Sequence, residues 1–157
     1  PLPADRLLDE LPPEAGIYAL LLSCRRRAVI RIGKLGELRL RPGLYVYLGS
    51  ACGPGGLRAR IGHHLRIAGR PHWHVDYLRP WTEVQAAWCR TGREESEHDW
   101  ALCIRRLPGA LVPLPGFGSS DCRCESHLFF FRTRFRPPAL RLSRAVLYST
   151  RTGRFRS

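Results

Sequence analysis

Two periods alternate in the apolar positions of this chain, and the switches between them mark its elements. Gly16 to Leu22 reads as a strand with Tyr18, Leu20 and Leu22 on one side. Ala28 to Ile32 is expected as its hairpin partner across the Cys24 to Arg27 turn, and Leu35 to Leu40 as a third, weaker strand ahead of Pro42-Gly43. From Leu44 to Leu48 the alternation sets Leu44, Val46 and Leu48 against Tyr45 and Tyr47, so that one face is core and the other carries two phenols. Glycines and Pro54 between Gly49 and Gly56 stop the strand, and Leu57, Ile61 and Leu65 then recur at i, i+4 and i+8 as an amphipathic helix. Arg60 and His64, also i and i+4, lie beside that stripe near the turn, where a phosphate would find donors from several directions.

After the break at Gly69-Arg70-Pro71, His72, His74 and Asp76 share one face if the segment is extended. That set invites a metal, but Trp73, Val75 and Tyr77 between them favour a packed element whose polar atoms find hydrogen bonds. Val84 to Cys89 is a further strand, and Thr91 with Glu94 has capping-box spacing for a helix from about Gly92 to Leu107. Glu94 and Glu95 then serve the helix start. Glu97 does not: with Trp100, Ala101 and Ile104 at i+3, i+4 and i+7 it falls on the apolar stripe, where an unpaired carboxylate is costly, so a basic partner or a metal ion is expected to meet it.

Pro108 to Ser126, rich in Pro, Gly and Ser, is expected to be a long ordered loop. Its Cys122, Cys124 and His127 suggest zinc, yet the C-x-C-x-x-H spacing lacks a matching second half, and a loop pinned against the core is the preferred reading. His127 to Arg136 is read as a strand with Arg132, Arg134 and Arg136 opposite Phe131, Thr133 and Phe135. Pro1 to Pro13 is taken as a leader or a helical turn.

Composition narrows the class. The 157 residues suit one domain with a proper core. Lys plus Arg of 26 against Asp plus Glu of 13, with a pI near 10.7, points to an anionic partner rather than a neutral metabolite. Lys34 is the sole lysine; a uniform use of arginine elsewhere is as much a matter of genome composition as of phosphate recognition. From Glu125 onward no acid follows, so the tail is either an arm along a phosphate backbone or a solubilising extension. Six cysteines without framework spacing, and no signal peptide or long apolar span, lead to the expectation of a reduced, soluble, cytoplasmic protein without a membrane partner or small-molecule cofactor.

Gly16-Ile17-Tyr18 and Tyr47-Leu48-Gly49, with the arginine downstream, resemble the paired tripeptides of the GIY-YIG nuclease superfamily. G-K-L-G at Gly33 to Gly36, H-W-H-V-D-Y-L at His72 to Leu78, and G-F-G-S-S-D-C-R-C-E-S-H-L at Gly116 to Leu128 are similar to the Uri-type branch, so the likeness runs from Gly16 to about Phe131. It implies an α/β domain over residues 14–131, a small, mainly antiparallel sheet flanked by helices, between a leader at 1–13 and an arginine-rich C-terminal extension at 132–157.

The resemblance also implies a metal-dependent endonuclease acting on DNA in repair or processing. Glu97 would hold one Mg²⁺ or Mn²⁺, Tyr18 or Tyr47 would help activate water, and Arg60 would hold the scissile phosphate, with His64 beside it. A phenol is a poor base unless nearby positive charge lowers its pKa, which the cation and Arg60 would supply. His98 stands where the family commonly has Asn, and the Gly-Pro-Gly-Gly insertion leaves Arg58 as an alternative to Arg60. Lys34, in the branch's own motif, is proposed to sit at or beside the reaction site, and Arg58, Arg66, Arg132, Arg134 and Arg136 to contact nucleic acid. Two other readings are a catalytically idle nucleic-acid-binding module and a domain that recruits a repair factor, the latter suggested by fusions of this branch to endonuclease III.

Overall fold

The computed structural model describes residues 3–132 and 146–149. Its elements in order are α1 (Pro3–Glu10), β1 (Gly16–Cys24), β2 (Ala28–Ile32), β3 (Gly36–Leu40), β4 (Gly43–Ala51), α2 (Gly56–Leu65), α3 (His74–Leu78), a 3-10 turn at Arg79–Trp81, β5 (Thr82–Thr91), α4 (Glu97–Arg105), β6 (Leu128–Phe131) and β7 (Val146–Ser149). Five strands form one sheet in the order β6-β4-β1-β5-β7, with every neighbouring pair antiparallel; β2 and β3 make a separate ribbon. This is the expected mixed α/β architecture with a mainly antiparallel sheet.

The sheet is buried on both faces, because its strands carry apolar residues at nearly every position. Tyr18, Leu20, Leu22, Tyr45 and Tyr47 look towards α1, α2, α3 and the β2-β3 ribbon, where they meet Leu7, Leu11, Leu57, Ile61, Val75 and Leu78. Ile17, Ala19, Leu21, Val46, Leu48, Trp88 and Phe129 look the other way, towards Trp100, Ala101 and Ile104 of α4. The tyrosine face of β4, expected to lie outside the core, is therefore a second core face. Between Leu21 and Leu22 the β1-β5 pairing steps from Ala86 to Val84, a bulge that puts Val84 on the Leu22 side and Ala86 on the Leu21 side.

Three local expectations are corrected. β2 does not pair with β1: it alternates buried Ile30 and Ile32 with exposed Val29 and Arg31, and so matches β3, whose Leu38 and Leu40 are buried and Glu37 and Arg39 exposed. A strand with one wet face cannot replace β5 beside the fully buried β1. Thr91 does not cap a helix, since it is still paired to Gly16. The chain turns at Gly92, with φ +97, and Ser96 is the cap: its Oγ accepts from the Asp99 amide while the Asp99 carboxylate accepts from the Ser96 amide. Glu94 and Glu95 both pair with Arg90 instead. The first segment follows the helical alternative and not the leader: residues 3–13 supply α1, and Leu7 and Leu11 are fully buried in the first core, so they belong to the domain's packing. The strand expected from His127 to Arg136 is present as β6 over Leu128–Phe131, while Arg134 and Arg136 lie outside the described residues. Among the described residues no helix is long and apolar enough to cross a membrane.

Candidate functional site

Tyr18 on β1 and Gly49 on β4 are directly opposite in the sheet, and the phenol ring lies across the glycine. A Cβ at Gly49 would sit 2.5 Å from Tyr18 Cζ and closer still to its hydroxyl. Only glycine lets the ring lie flat on the strand and reach α2, where Tyr18 Oη is 2.8 Å from His64 Nε2. Gly49→Ala is expected to destabilise the fold by about 1–3 kcal/mol, because overpacking of a closed core outweighs the backbone entropy that alanine saves in a strand. Equilibrium urea unfolding checks this, and an unchanged midpoint would contradict the steric argument.

α2 brings His64 and Arg60 to this point. Its Leu57 and Ile61 are buried beneath the sheet, which turns Arg60 to the rim and His64 inward, 0% exposed. Gly55 and Gly56 both adopt positive φ, and a Cβ on Gly56 would collide with the carbonyls of Pro13 and Glu14. That close approach lets the Leu57 amide donate to Glu14 O and the Arg58 amide to Pro12 O. The helix start is thereby capped by the chain itself, and these two amides are not free for a phosphate as the turn had suggested. Arg58 is turned away too, its Nε donating to Leu11 O. Arg60 is the arginine that lines the pocket: Nη1 donates to Ser50 O at 3.1 Å and the guanidinium stacks over Trp73, 4.2 Å from the ring centroid.

Behind His64 stands Asp76. His72, His74 and Asp76 are not on one face, because His74–Leu78 is a helical turn. Asp76 caps it, accepting from the His72 and Trp73 amides, and also meets His63 Nε2 at 3.1 Å and His64 Nδ1 at 3.5 Å. Burial pushes its carboxyl up, but the contacts with His64, the two amides and His63 outweigh burial and hold it well below the usual carboxylate range. Burial lowers His64, with Asp76 pulling the other way, so the imidazole is neutral at pH 7. Burial also raises Tyr18 well above an ordinary phenol and raises Tyr47; the charge of Arg60 opposes both shifts and is outweighed. The expectation of a phenol acidified by its surroundings is thus reversed for the protein alone. Buried Arg79 completes the support, donating from Nε to His64 O and from Nη1 to Thr82 O.

Glu97 reaches the same pocket from the other side of the sheet. It is the first residue of α4, half-buried, and its Oε1 accepts from Ser50 Oγ at 3.1 Å. Among the described residues no cationic side chain pairs with it, so of the two partners expected for this carboxylate the basic one is absent. Tyr18, Tyr47, Ser50, Arg60, Trp73, Glu97, Asp121 and His127 line an open pocket of about 220 Å³. A carboxylate oxygen at the rim of a wet, polar pocket fits Mg²⁺ or Mn²⁺, which bind through one or two carboxylates and keep several waters.

The loop between α4 and β6 closes this pocket. Gly118, at φ +70, packs its backbone against Tyr47 and donates its amide to His74 Nδ1 at 2.9 Å. The Cys122, Cys124 and His127 set, which lacked a second half in the sequence, gains one in space: His98, the second residue of α4, faces it. Lys34 is exposed in the β2-β3 turn and does not line the pocket, and Arg66 and Arg132 are exposed away from it. Ser50, Trp73 and Arg79 were not anticipated. Ser50 lies near the end of β4, paired to Ile17 of β1, and meets Glu97 of α4 across the fold.

A family model described as "Domain of unknown function DUF123" matches residues 17–146. The comparisons with curated proteins and with solved structures return no match.

Proposed function

We propose that this chain, which belongs to the DUF123 family, is a metal-dependent endonuclease of GIY-YIG type that hydrolyses phosphodiester bonds in DNA. The observation that carries the reading is the convergence on one pocket of Tyr18, Tyr47, Arg60 and Glu97, from four separate elements, with His64 bonded behind Tyr18. The resemblance named each of these residues, and their nearness to one another supports the reading. Excess positive charge suits the same substrate.

Arg60 donates one N–H to Ser50 O and also reaches the Tyr18 phenol, and its remaining N–H groups are left for phosphate oxygens. Stacking on Trp73 fixes its direction and limits the entropy lost on binding. Tyr18 begins protonated, and neutral His64 accepts its hydrogen bond at Nε2. As a water attacks phosphorus, its proton passes to Tyr18 Oη and the phenol's own proton passes to His64 Nε2. The new P–O bond forms as the bond to the leaving oxygen breaks. The resulting imidazolium is stabilised by ionised Asp76, 3.5 Å from Nδ1. Tyr47, beside Tyr18 with ring centroids 6.3 Å apart, bounds the water's position. A divalent cation held by Glu97 would polarise the phosphate and stabilise charge on the leaving oxygen.

The test is incubation of the full chain with duplex, single-stranded and branched DNA and with RNA, in Mg²⁺, Mn²⁺ or EDTA. Cleavage with either cation and none in EDTA is expected. Equal cleavage in EDTA overturns the metal-dependent reading. Salt-sensitive binding with no cleavage of any substrate would leave a nucleic-acid-binding module.

A further inference from the structure

We propose that His98, Cys122, Cys124 and His127 form a structural zinc site that locks the α4-β6 loop to the start of α4. The four donor atoms lie within 4.8 Å of one another. His98 Nδ1 and His127 Nε2 are 3.4 Å apart, Cys124 Sγ is 3.4 Å from His98 Nδ1, and Cys122 Sγ is 3.5 Å from His127 Nε2. Zn–N bonds near 2.05 Å and Zn–S bonds near 2.3 Å at tetrahedral angles set two nitrogens about 3.3 Å apart and a nitrogen and a sulfur about 3.6 Å apart. The spacings in the fold match those edges of a tetrahedron. They match hydrogen bonds less well, since 3.4 Å between two ring nitrogens is beyond the ordinary range.

The chemistry agrees with the geometry. Two thiolates and two imidazoles favour zinc over magnesium or calcium, which prefer oxygen. On binding, each thiol releases its proton to solvent as its S–Zn bond forms, and both imidazoles bind neutral, His98 through Nδ1 and His127 through Nε2. All four positions are filled by protein, so the ion has no open site for substrate and its role is to hold structure. The other cysteines are placed elsewhere: Cys24 and Cys89 are buried, and Cys52 and Cys103 are exposed.

The loop needs such a tie. It is long and irregular between Leu107 and Leu128, and a cross-link between distant segments removes much of its freedom. His98 follows Glu97 directly, and His127 itself lines the pocket. Zinc would therefore fix the separation between the carboxylate and the loop that carries Gly118 and Asp121. The inference does not depend on the nuclease reading, because its test reads metal content and not cleavage.

The full chain is purified with reductant, stripped with a chelator, reloaded with ZnCl₂ or CoCl₂, and passed through gel filtration. About one zinc per chain is expected to stay bound, and the cobalt form to show the visible bands of a tetrahedral site with thiolate charge transfer in the near ultraviolet. Cys124→Ala should lower retained zinc at least about tenfold while Cys103→Ser retains it. Wild-type chain that keeps almost no zinc and shows no tetrahedral cobalt bands overturns the proposal, whatever the variants do. So does a folded Cys124→Ala chain with undiminished zinc and an unaltered cobalt spectrum.

Discussion

Glu97→Gln is expected to lower cation-supported cleavage by at least about a thousandfold, since losing a metal's stabilisation of transition-state charge removes several kcal/mol and each 1.36 kcal/mol is tenfold. The fold should be nearly indifferent. A glutamine carbonyl can still accept from Ser50 Oγ, the site is half-buried, and the carboxylate gives up no ion pair among the described residues. The pairing of lost activity with retained stability is what separates a ligand from a structural acid. Single-turnover cleavage and thermal unfolding, measured on the same preparation, check it. Cleavage within tenfold of wild type would remove Glu97 from the reaction.

Tyr18→Phe is expected to cost about 10²–10⁴ in cleavage rate, the range of a positioned acid or base. It should also cost about 1–3 kcal/mol of stability, because His64 Nε2 is left buried without its partner. The pH profile carries the mechanism. Burial lowers His64, so its folded pKa lies below the unfolded value near 6.5. The unfolded chain then binds the proton more readily, and stability present above that pH falls as the solution is acidified. Asp76 acts in the same direction at lower pH, since its lowered pKa gives stability above the ordinary carboxylate range that is lost on protonation. Wild-type cleavage should fall on the acid side of the ordinary imidazole range, as His64 takes up a proton and can no longer accept one from Tyr18. A wild-type rate flat through this region, or Tyr18→Phe activity equal to wild type, would show that the phenol-imidazole pair does not move the proton.

Much of this site is readable in the chain because it depends on local periodicity. The i, i+4 spacing of Arg60 and His64 forces them onto one side of α2, and the acid three and four residues ahead of Trp100 and Ala101 singles out Glu97, although the helix-start role denied to it does apply, since it is the first residue of α4. The alternation in β4 correctly separates Val46 and Leu48 from Tyr45 and Tyr47. It does not tell that both faces are covered, since that depends on which elements cross the sheet. Pairing partners were harder still: β2 follows β1 across a short turn, and only the wetness of one of its faces sends it to β3. The roles of Ser50, Trp73 and His98 were beyond reach for a different reason. Ser50 meets Glu97, Trp73 lies under Arg60, and His98 meets the cysteine pair through contacts between segments distant in sequence. Nothing in the neighbourhood of such a residue along the chain signals the contact. The apparent capping box at Thr91 failed because sheet pairing outlasted the helix signal, and the true cap, Ser96 with Asp99, has the same spacing.

The strand order carries a consequence for biosynthesis. Gly16 is opposite Ala51 on one side and Thr91 on the other, and Leu44 is opposite Phe131, so the sheet is held by pairings between remote parts of the chain. Such topologies fold late and cooperatively, because the entropy of closing long loops must be met before the contacts that reward it. No early hairpin contains Tyr18, Arg60 and Glu97 in their working arrangement. A chain still emerging from the ribosome therefore exposes arginines to the surrounding RNA before the pocket exists, and Tyr18, Arg60 and Glu97 come together only after β6 has been synthesised and released.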